Sequence, residues 1–316
     1  MPDHIRASVP PLNRPAVVMG RLLRAVPYLR SHTSYVVRHP RVDGVAVPVM
    51  GGRGLRHFWR FEDETFAILA TMIDLSPGVF VDIGANIGQT LIKAKSVDAS
   101  LEYIGFEPSP ASYSYTDELI QLNHFENCTL FPVGASDERT VVDLYFAHAT
   151  DAAATMVSGF WTGKNKKPFR RRILVEPAEL LIRQVTRNKV GVIKIDIEGG
   201  ELEALKGLST ILREDVPPVV MEVLPASCDL DPSFPDTAAG VQLRLERISK
   251  LTLLLKDLEL IPFRLMPEGV LQKVESFDSE KYVPELTNYL MYPSRSGLSL
   301  DEISSKFRDR MTASSV

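Results

Sequence analysis

Two cysteines in 316 residues, Cys128 and Cys228, are too few for a disulfide framework, and neither belongs to a CxxC pair of the kind that holds zinc. Both are expected to be reduced and structural, as in a cytoplasmic protein. No run approaches the roughly 18 apolar residues of a membrane span, so no membrane partner is expected. The Pro, Arg and Asn residues that interrupt the first 24 positions argue against a secretory leader. Lysine is absent from the first sixty residues, which carry ten Arg against only Asp3 and Asp43. That arm is therefore strongly basic, while the whole chain has a net charge of -4, so the remainder is acidic.

What is present, 45% hydrophobic and 24% charged residues, suffices for a sizeable buried core. Residues 1–60, rich in Pro, Arg and Val without a sustained period, read as a basic extension laid over a core or used to form a homo-oligomer. Residues 61–295 read as one domain, and 296–316 as a polar, loosely held tail. A second basic cluster comprises Lys164, Lys166, Lys167, Arg170, Arg171 and Arg172. Solvated surface or Arg stems over apolar patches explain either cluster, as does an anionic partner.

From residue 62 to 75, Phe66, Leu69, Ala70 and Ile73 recur at helical spacing, and Ser76-Pro77-Gly78 ends the helix. Strand-like and helical segments then alternate: strands at 79–83, 103–106 and 129–133, with helices at 84–95 and 111–122 between them. After an irregular region holding strands at 141–146 and 172–175, the alternation resumes with a strand at 190–195, a helix at 201–212 and a strand at 219–223. A helix at 241–258 precedes a closing strand pair, 260–265 and 288–292. This order predicts an α/β fold with a doubly wound, mostly parallel sheet.

The turn after the first core strand, Val81-Asp82-Ile83-Gly84-Ala85-Asn86-Ile87-Gly88-Gln89, is lined by small residues that let a ligand approach the backbone. A dinucleotide fingerprint would place Gly where Asn86 and Gln89 stand, to admit a pyrophosphate at the helix N-terminus. A ligand without phosphates needs less room. Asp82 would complement a cationic amino group or orient the turn. Glu107, at the tip of the next strand, is placed to accept hydrogen bonds from ribose hydroxyls.

Three segments together resemble the FkbM family of class I methyltransferases: the turn at 81–88, then Gly105-Phe106-Glu107-Pro108-Ser109-Pro110, then Ile193-Lys194-Ile195-Asp196-Ile197-Glu198-Gly199-Gly200-Glu201. The terminal Asn288-Tyr289-Leu290-Met291-Tyr292 fits that family's last strand. Gly200, where the family more often has a larger residue, and the basic insertion depart from the pattern. The resemblance implies a Rossmann-like sheet of seven strands, one of them antiparallel, with S-adenosyl-L-methionine at its carboxyl ends. It implies Gly84, Ala85, Asn86 and Gly88 along the methionine end of that cofactor, Asp82 at its amino group, Glu107 and Pro108 at its ribose, and Gly134, Ala135 and Ser136 beside adenine.

It also implies methyl transfer to oxygen, on a sugar or other small-molecule hydroxyl or a carboxylate. The methyl is already activated, so the protein must align the acceptor and remove its proton. Asp196, at a strand end, is the expected base. Glu198 is either catalytic or a helix N-terminal acid, and Lys194, on the same face as Asp196, pairs with it or with substrate. His148 and His124 are further base candidates. A divalent cation is not expected, although Asp196, Glu198 and Glu222 offer oxygen ligands of a suitable kind. Trp161 and the Lys164–Arg172 cluster would clamp an anionic acceptor.

Two other readings compete. A nicotinamide-dependent oxidoreductase would share the fold, but Asn86 and Gln89 argue against it. An RNA methyltransferase or nucleic-acid-binding module would use the basic arm on phosphates, but the arm lacks interleaved aromatics and the core is acidic.

Overall fold

β3 (Val79–Ile83) is buried along its whole length, with Val79, Val81 and Ile83 on one face and Phe80 on the other. Burial on both faces explains its unbroken apolar character and places it in the middle of a three-layer stack. The computed structural model describes residues 34–39, 42–50, 54, 57, 62–228, 235–277 and 282–314. Most of the basic arm therefore lies outside the described residues.

β3 is joined in parallel by β4 (Tyr103–Phe106) and β5 (Cys128–Phe131) on one side, and by β9 (Val190–Ile195) and β10 (Val219–Glu222) on the other. β13 (Asn288–Pro293) runs antiparallel to both β10 and β11 (Leu260–Met266). The order β11-β13-β10-β9-β3-β4-β5 is the expected seven-stranded sheet with one antiparallel member. An eighth strand not foreseen, β12 (Val270–Lys273), extends the edge as a hairpin with β11. Direction of winding reverses between β3 and β9, which opens a crevice at their carboxyl ends.

α1 (Asp63–Leu75), α2 (Gln89–Val97) and α3 (Pro110–Leu122) lie N-terminal to the crossover. Phe80, Tyr103, Val192, Val220 and Leu290 point toward a core that includes α1 and α2. The opposite face packs on α4 (Ala178–Val185), α5 (Glu201–Lys206), α6 (Ser209–Glu214) and α7 (Ala238–Asp257). The single helix expected over 201–212 is broken at Gly207, where a Cβ would overlap the Ser136 carbonyl oxygen. Close approach of that backbone ends one helix and starts the next.

The irregular region forms a separate sheet with the order β6 (Gly134–Ala135), β8 (Phe169–Glu176), β7 (Thr140–Phe146). It enlarges the crossover between β5 and α4. Arg170, Arg171 and Arg172 sit on β8 and are exposed.

Two boundaries differ from the expected ones. The supposed tail contains α8 (Leu300–Ser314), whose Ile303 and Phe307 are fully buried against the core that holds α1. Three apolar residues, Ile303, Phe307 and Met311, recur every fourth position and outweigh the segment's polar composition. This cover also explains why α1 buries Ala67, Ile68 and Met72 as well as Leu69, Ala70 and Ile73. At the other end, β1 (Ser34–Arg38) and β2 (Ala46–Met50) form a hairpin. Val47 and Val49 are buried, and Tyr115 Oη donates to the Pro48 carbonyl at 2.6 Å, so this part of the extension is laid over α3.

Candidate functional site

Carboxyl ends of β3, β4, β9 and β10 surround a cavity of about 720 Å³, within the usual range for a ligand site. Seven of the residues assigned to the cofactor line it: Gly84, Ala85, Asn86, Glu107, Pro108, Gly134 and Ala135. Lys194, Asp196 and Glu198 line it as well.

Local structure explains the turn. Gly84 has φ 89°, and a Cβ there would overlap the Asp196 carbonyl oxygen, so glycine lets the ends of β3 and β9 approach. Asn86 follows at φ 45°, a left-handed conformation that Asn tolerates well. Its carbonyl accepts from Thr116 Oγ1 at 2.5 Å, and its Oδ1 from Ser112 Oγ at 3.1 Å. Glu107 completes the turn: Oε2 accepts the Asn86 N–H at 2.8 Å and Oε1 the Ser109 N–H at 2.7 Å. Burial pushes this carboxyl up to about 7, against the opposing pull of those two N–H groups. Each oxygen still has a lone pair available to a ligand hydroxyl.

Three of the residues assigned to the cofactor lie off the cavity wall. Asp82 is not on the cavity wall. It lies on the Phe80 face of β3, fully buried, where Tyr103 Oη donates to Oδ2 at 2.6 Å and Lys194 Nζ stands 3.6 Å from Oδ1. Register decides this, because Asp82 is paired directly with Lys194 across β3 and β9. Its partners are thus side chains of β4 and β9. Gly88 caps α2 from behind the wall, and a Cβ there would come within 2.6 Å of Leu119 Cδ2. Ser136 lies one residue beyond the wall, with its N–H donated to the Glu176 carbonyl at 2.9 Å.

Lys194 links the buried Asp82 to the cavity, since its Nζ also lies 3.2 Å from Asp196 Oδ2. Although burial opposes it, Asp196 and Asp82 raise the Lys194 pKa well above the ordinary lysine range. Burial likewise tends to raise Asp196, but Lys194 and a hydrogen bond from Glu222 outweigh it and hold the carboxyl below its usual value. Glu222 and Glu198 are both driven well upward, first by burial and then by neighbouring carboxylates. Each offers one oxygen such that, with Asp196, the three atoms lie within 4.8 Å of one another.

Glu198 is not the helix-terminal acid. That role belongs to Glu201, whose Oε1 accepts the Gly199 N–H at 2.8 Å, while Glu198, at φ 55°, turns toward the cavity. Arg247 secures the loop from α7 by donating to the Gly199 carbonyl at 2.9 Å.

Among the described residues of the basic cluster, Lys167 lines the cavity, together with Trp161 and Asn165. The expected arginine clamp is corrected: Arg170 pairs with Asp143 at 3.1 Å, and Arg171 lies 5.5 Å over the Phe146 ring. β8 carries these residues along the small sheet rather than into the crevice. Lys167 is itself paired with Asp151 at 3.0 Å and stands 5.5 Å from the Trp161 ring. Trp161 Nε1 is buried and has no hydrogen-bond partner. His148 is 60% exposed and outside the wall, and His124 is exposed.

Several wall residues escaped the sequence reading, notably Glu62, Thr65, Leu144, Met156, Tyr282 and Asn288. They reach the site from the start of α1, from β7 and the loop after it, and from the segment that leads into β13, and no local motif marks them. The segment carrying Trp161 is held by Arg244 of α7, which donates to the Phe160 carbonyl, to the Ala226 carbonyl at 2.6 Å, and to Asp236.

Residues 82–238 match the Methyltransferase FkbM domain. Methyltransferase 1 of Beauveria bassiana is 23% identical over 164 residues, which cover 47% of this chain and 66% of that protein. A crystal structure of methyltransferase FkbM from Methylobacillus flagellatus KT aligns with 18% identity and a TM-score of 0.37, over 67% of this chain and 42% of that one. An SAH-bound methyltransferase of Podospora anserina, PaMTH1, aligns with 10% identity and a TM-score of 0.41, over 90% of this chain and 97% of that one. The chain thus spans less than two thirds of the length of the first two.

Proposed function

Through residues 82–238 the chain belongs to the FkbM methyltransferase family, and on that premise we propose that it is an S-adenosylmethionine-dependent methyltransferase acting on the hydroxyl of a small, uncharged molecule such as a sugar. The observation that carries this reading is Glu107, a buried carboxylate at the tip of β4, fixed by two backbone N–H groups and lining the cavity beside a glycine turn.

The wall fits a nucleoside without phosphates. Gly84, Ala85 and Asn86 would follow the amino-acid portion, Glu107 would take the ribose hydroxyls, and Gly134 and Ala135 leave room for a flat base. S-adenosylmethionine supplies an electrophilic methyl on sulfur. The protein's part is to hold the acceptor oxygen in line and to take its proton as the oxygen–carbon bond forms and the sulfur–carbon bond breaks. Asp196, kept ionised by Lys194, is the group that takes the proton.

Charge on the wall selects the acceptor. Among the described residues, Glu62, Glu107, Asp151, Asp196, Glu198 and Glu222 line the cavity with Lys167 and Lys194 as the basic members, and Lys167 is already paired. An anionic acceptor finds no unpaired lysine among these residues, whereas a polyhydroxylated neutral one finds acceptors for its O–H groups. Trp161 Nε1–H, left without a partner, would donate to a ring or ether oxygen of such a molecule.

Incubation with methyl-labelled S-adenosylmethionine and a panel of neutral polyols, carboxylates and amines tests this. The expected product is a labelled ether that survives mild base. Label released by base would indicate a methyl ester, and label confined to amines would overturn transfer to oxygen.

A further inference from the structure

We propose that Asp196, Glu198 and Glu222 hold one hard divalent cation of the Mg²⁺ or Mn²⁺ type, which anchors the acceptor hydroxyl in the cavity. The proposal rests on the reading above, because it names what presents the oxygen to the methyl group.

Three elements converge to make the cluster. Asp196 follows β9, Glu198 stands in the loop before α5, and Glu222 ends β10. One carboxylate oxygen from each lies within 4.8 Å of the others, and all three residues line the cavity. Carboxylates gathered this closely repel unless protons or a cation lie between them.

Glu198 adds an independent observation. Its Oε2 is buried and accepts no hydrogen bond from the described residues. A buried carboxylate oxygen without a partner costs free energy that a metal–oxygen bond would recover. The other two acids are oriented from behind, as ligands to a metal usually are. Lys194 Nζ lies 3.2 Å from Asp196 Oδ2, and Thr287 Oγ1 donates to Glu222 Oε1 at 2.7 Å. The donor set is all oxygen, which selects hard cations over zinc or copper. Three protein ligands leave positions for water and for acceptor oxygens. A hydroxyl bound there would lose its proton more readily.

Mn²⁺ binding, followed by the loss of its free EPR signal at neutral pH, tests the site without any turnover. One Mn²⁺ per chain, displaced by Mg²⁺ and with enhanced water-proton relaxation, is the expected result. Glu198→Gln and Glu222→Gln should each weaken it by about tenfold or more. Glu222→Gln keeps an oxygen for the Thr287 hydroxyl, so it guards against a variant that merely misfolds. Binding of S-adenosylhomocysteine, measured in parallel by calorimetry, should be unchanged in both variants. Absence of stoichiometric Mn²⁺ at millimolar concentration, or equal binding by wild type and both variants, would overturn the cation site even where S-adenosylhomocysteine binds. Failure of S-adenosylhomocysteine to bind would instead remove the methyltransferase reading, and the Mn²⁺ titration would still decide the metal.

Discussion

The Glu107 carboxylate takes the Asn86 N–H at 2.8 Å and so ties the tip of β4 to the turn after β3. One side chain therefore shapes two walls of the cavity. The turn's geometry depends on that bond and on the glycine two residues before Asn86.

Gly84→Ala should be among the most destructive single changes. Its Cβ would overlap the Asp196 carbonyl oxygen at a positive φ, where relief requires moving β9 away from β3. A loss on the order of 3 kcal/mol is expected by urea denaturation. Gly44→Ala is the control, since Gly44 also has positive φ but nothing lies within 4 Å of its Cβ position. Only the left-handed backbone cost of about 1 kcal/mol applies there. Equal losses at the two sites would refute the close-packing argument.

Glu201 sets a pH dependence whose sign can be worked out. Burial lifts its carboxyl from the usual 4.5 to about 7, against the bond from Gly199. The folded state thus binds more protons than the unfolded one between these values, so stability falls as pH rises from about 4.5 to about 7. Glu107 acts in the same window and direction. Glu201→Gln keeps an acceptor for the Gly199 N–H without the ionisation. Thermal melts across that interval should fall less steeply for the variant than for wild type, and parallel curves would contradict the assignment.

Arg244 and Asp236 form a buried pair at 1% and 2% exposure, so removal of one partner leaves the other's charge uncompensated by it. Arg244→Met should cost about 3 kcal/mol in chemical denaturation. The double variant Arg244→Met/Asp236→Leu should be less damaged than the sum of the two single changes. Simple additivity would show that the pair does not hold the Trp161 segment to α7.

How much of this was legible in sequence follows from how local each feature is. Strand, turn and acid at 81–88 and 105–108 are short-range patterns, and the structure brings Gly84, Ala85, Asn86, Glu107 and Pro108 to one wall. The direction of Asp82 depends on its pairing with Lys194 more than a hundred positions away, which no local pattern reveals. Of the two roles open to Glu198, the helix-terminal one falls to Glu201 because a left-handed residue redirects the loop, which composition does not reveal. α8 is a different case. Ile303, Phe307 and Met311 carried a helical spacing in plain view, and the polar residues between them hid it. Wall residues such as Glu62 and Asn288 arrive only through tertiary packing, beyond the reach of any local motif.

Phe307 offers a direct check on that packed C-terminal helix. It is fully buried against the core that includes α1, so Phe307→Ala should cost roughly 3–5 kcal/mol by denaturant unfolding. A change below about 0.5 kcal/mol is what a loosely held surface segment would give.

Calorimetric titration of S-adenosylhomocysteine into wild type and Glu107→Gln tests the central claim most directly. One site per chain is expected in wild type. The variant should bind at least about tenfold more weakly, or about 1.4 kcal/mol, because an amide cannot accept both backbone N–H groups and the ribose hydroxyls. No heat of binding in wild type, or identical affinity in the variant, would contradict the assignment of this cavity to a sulfonium nucleoside.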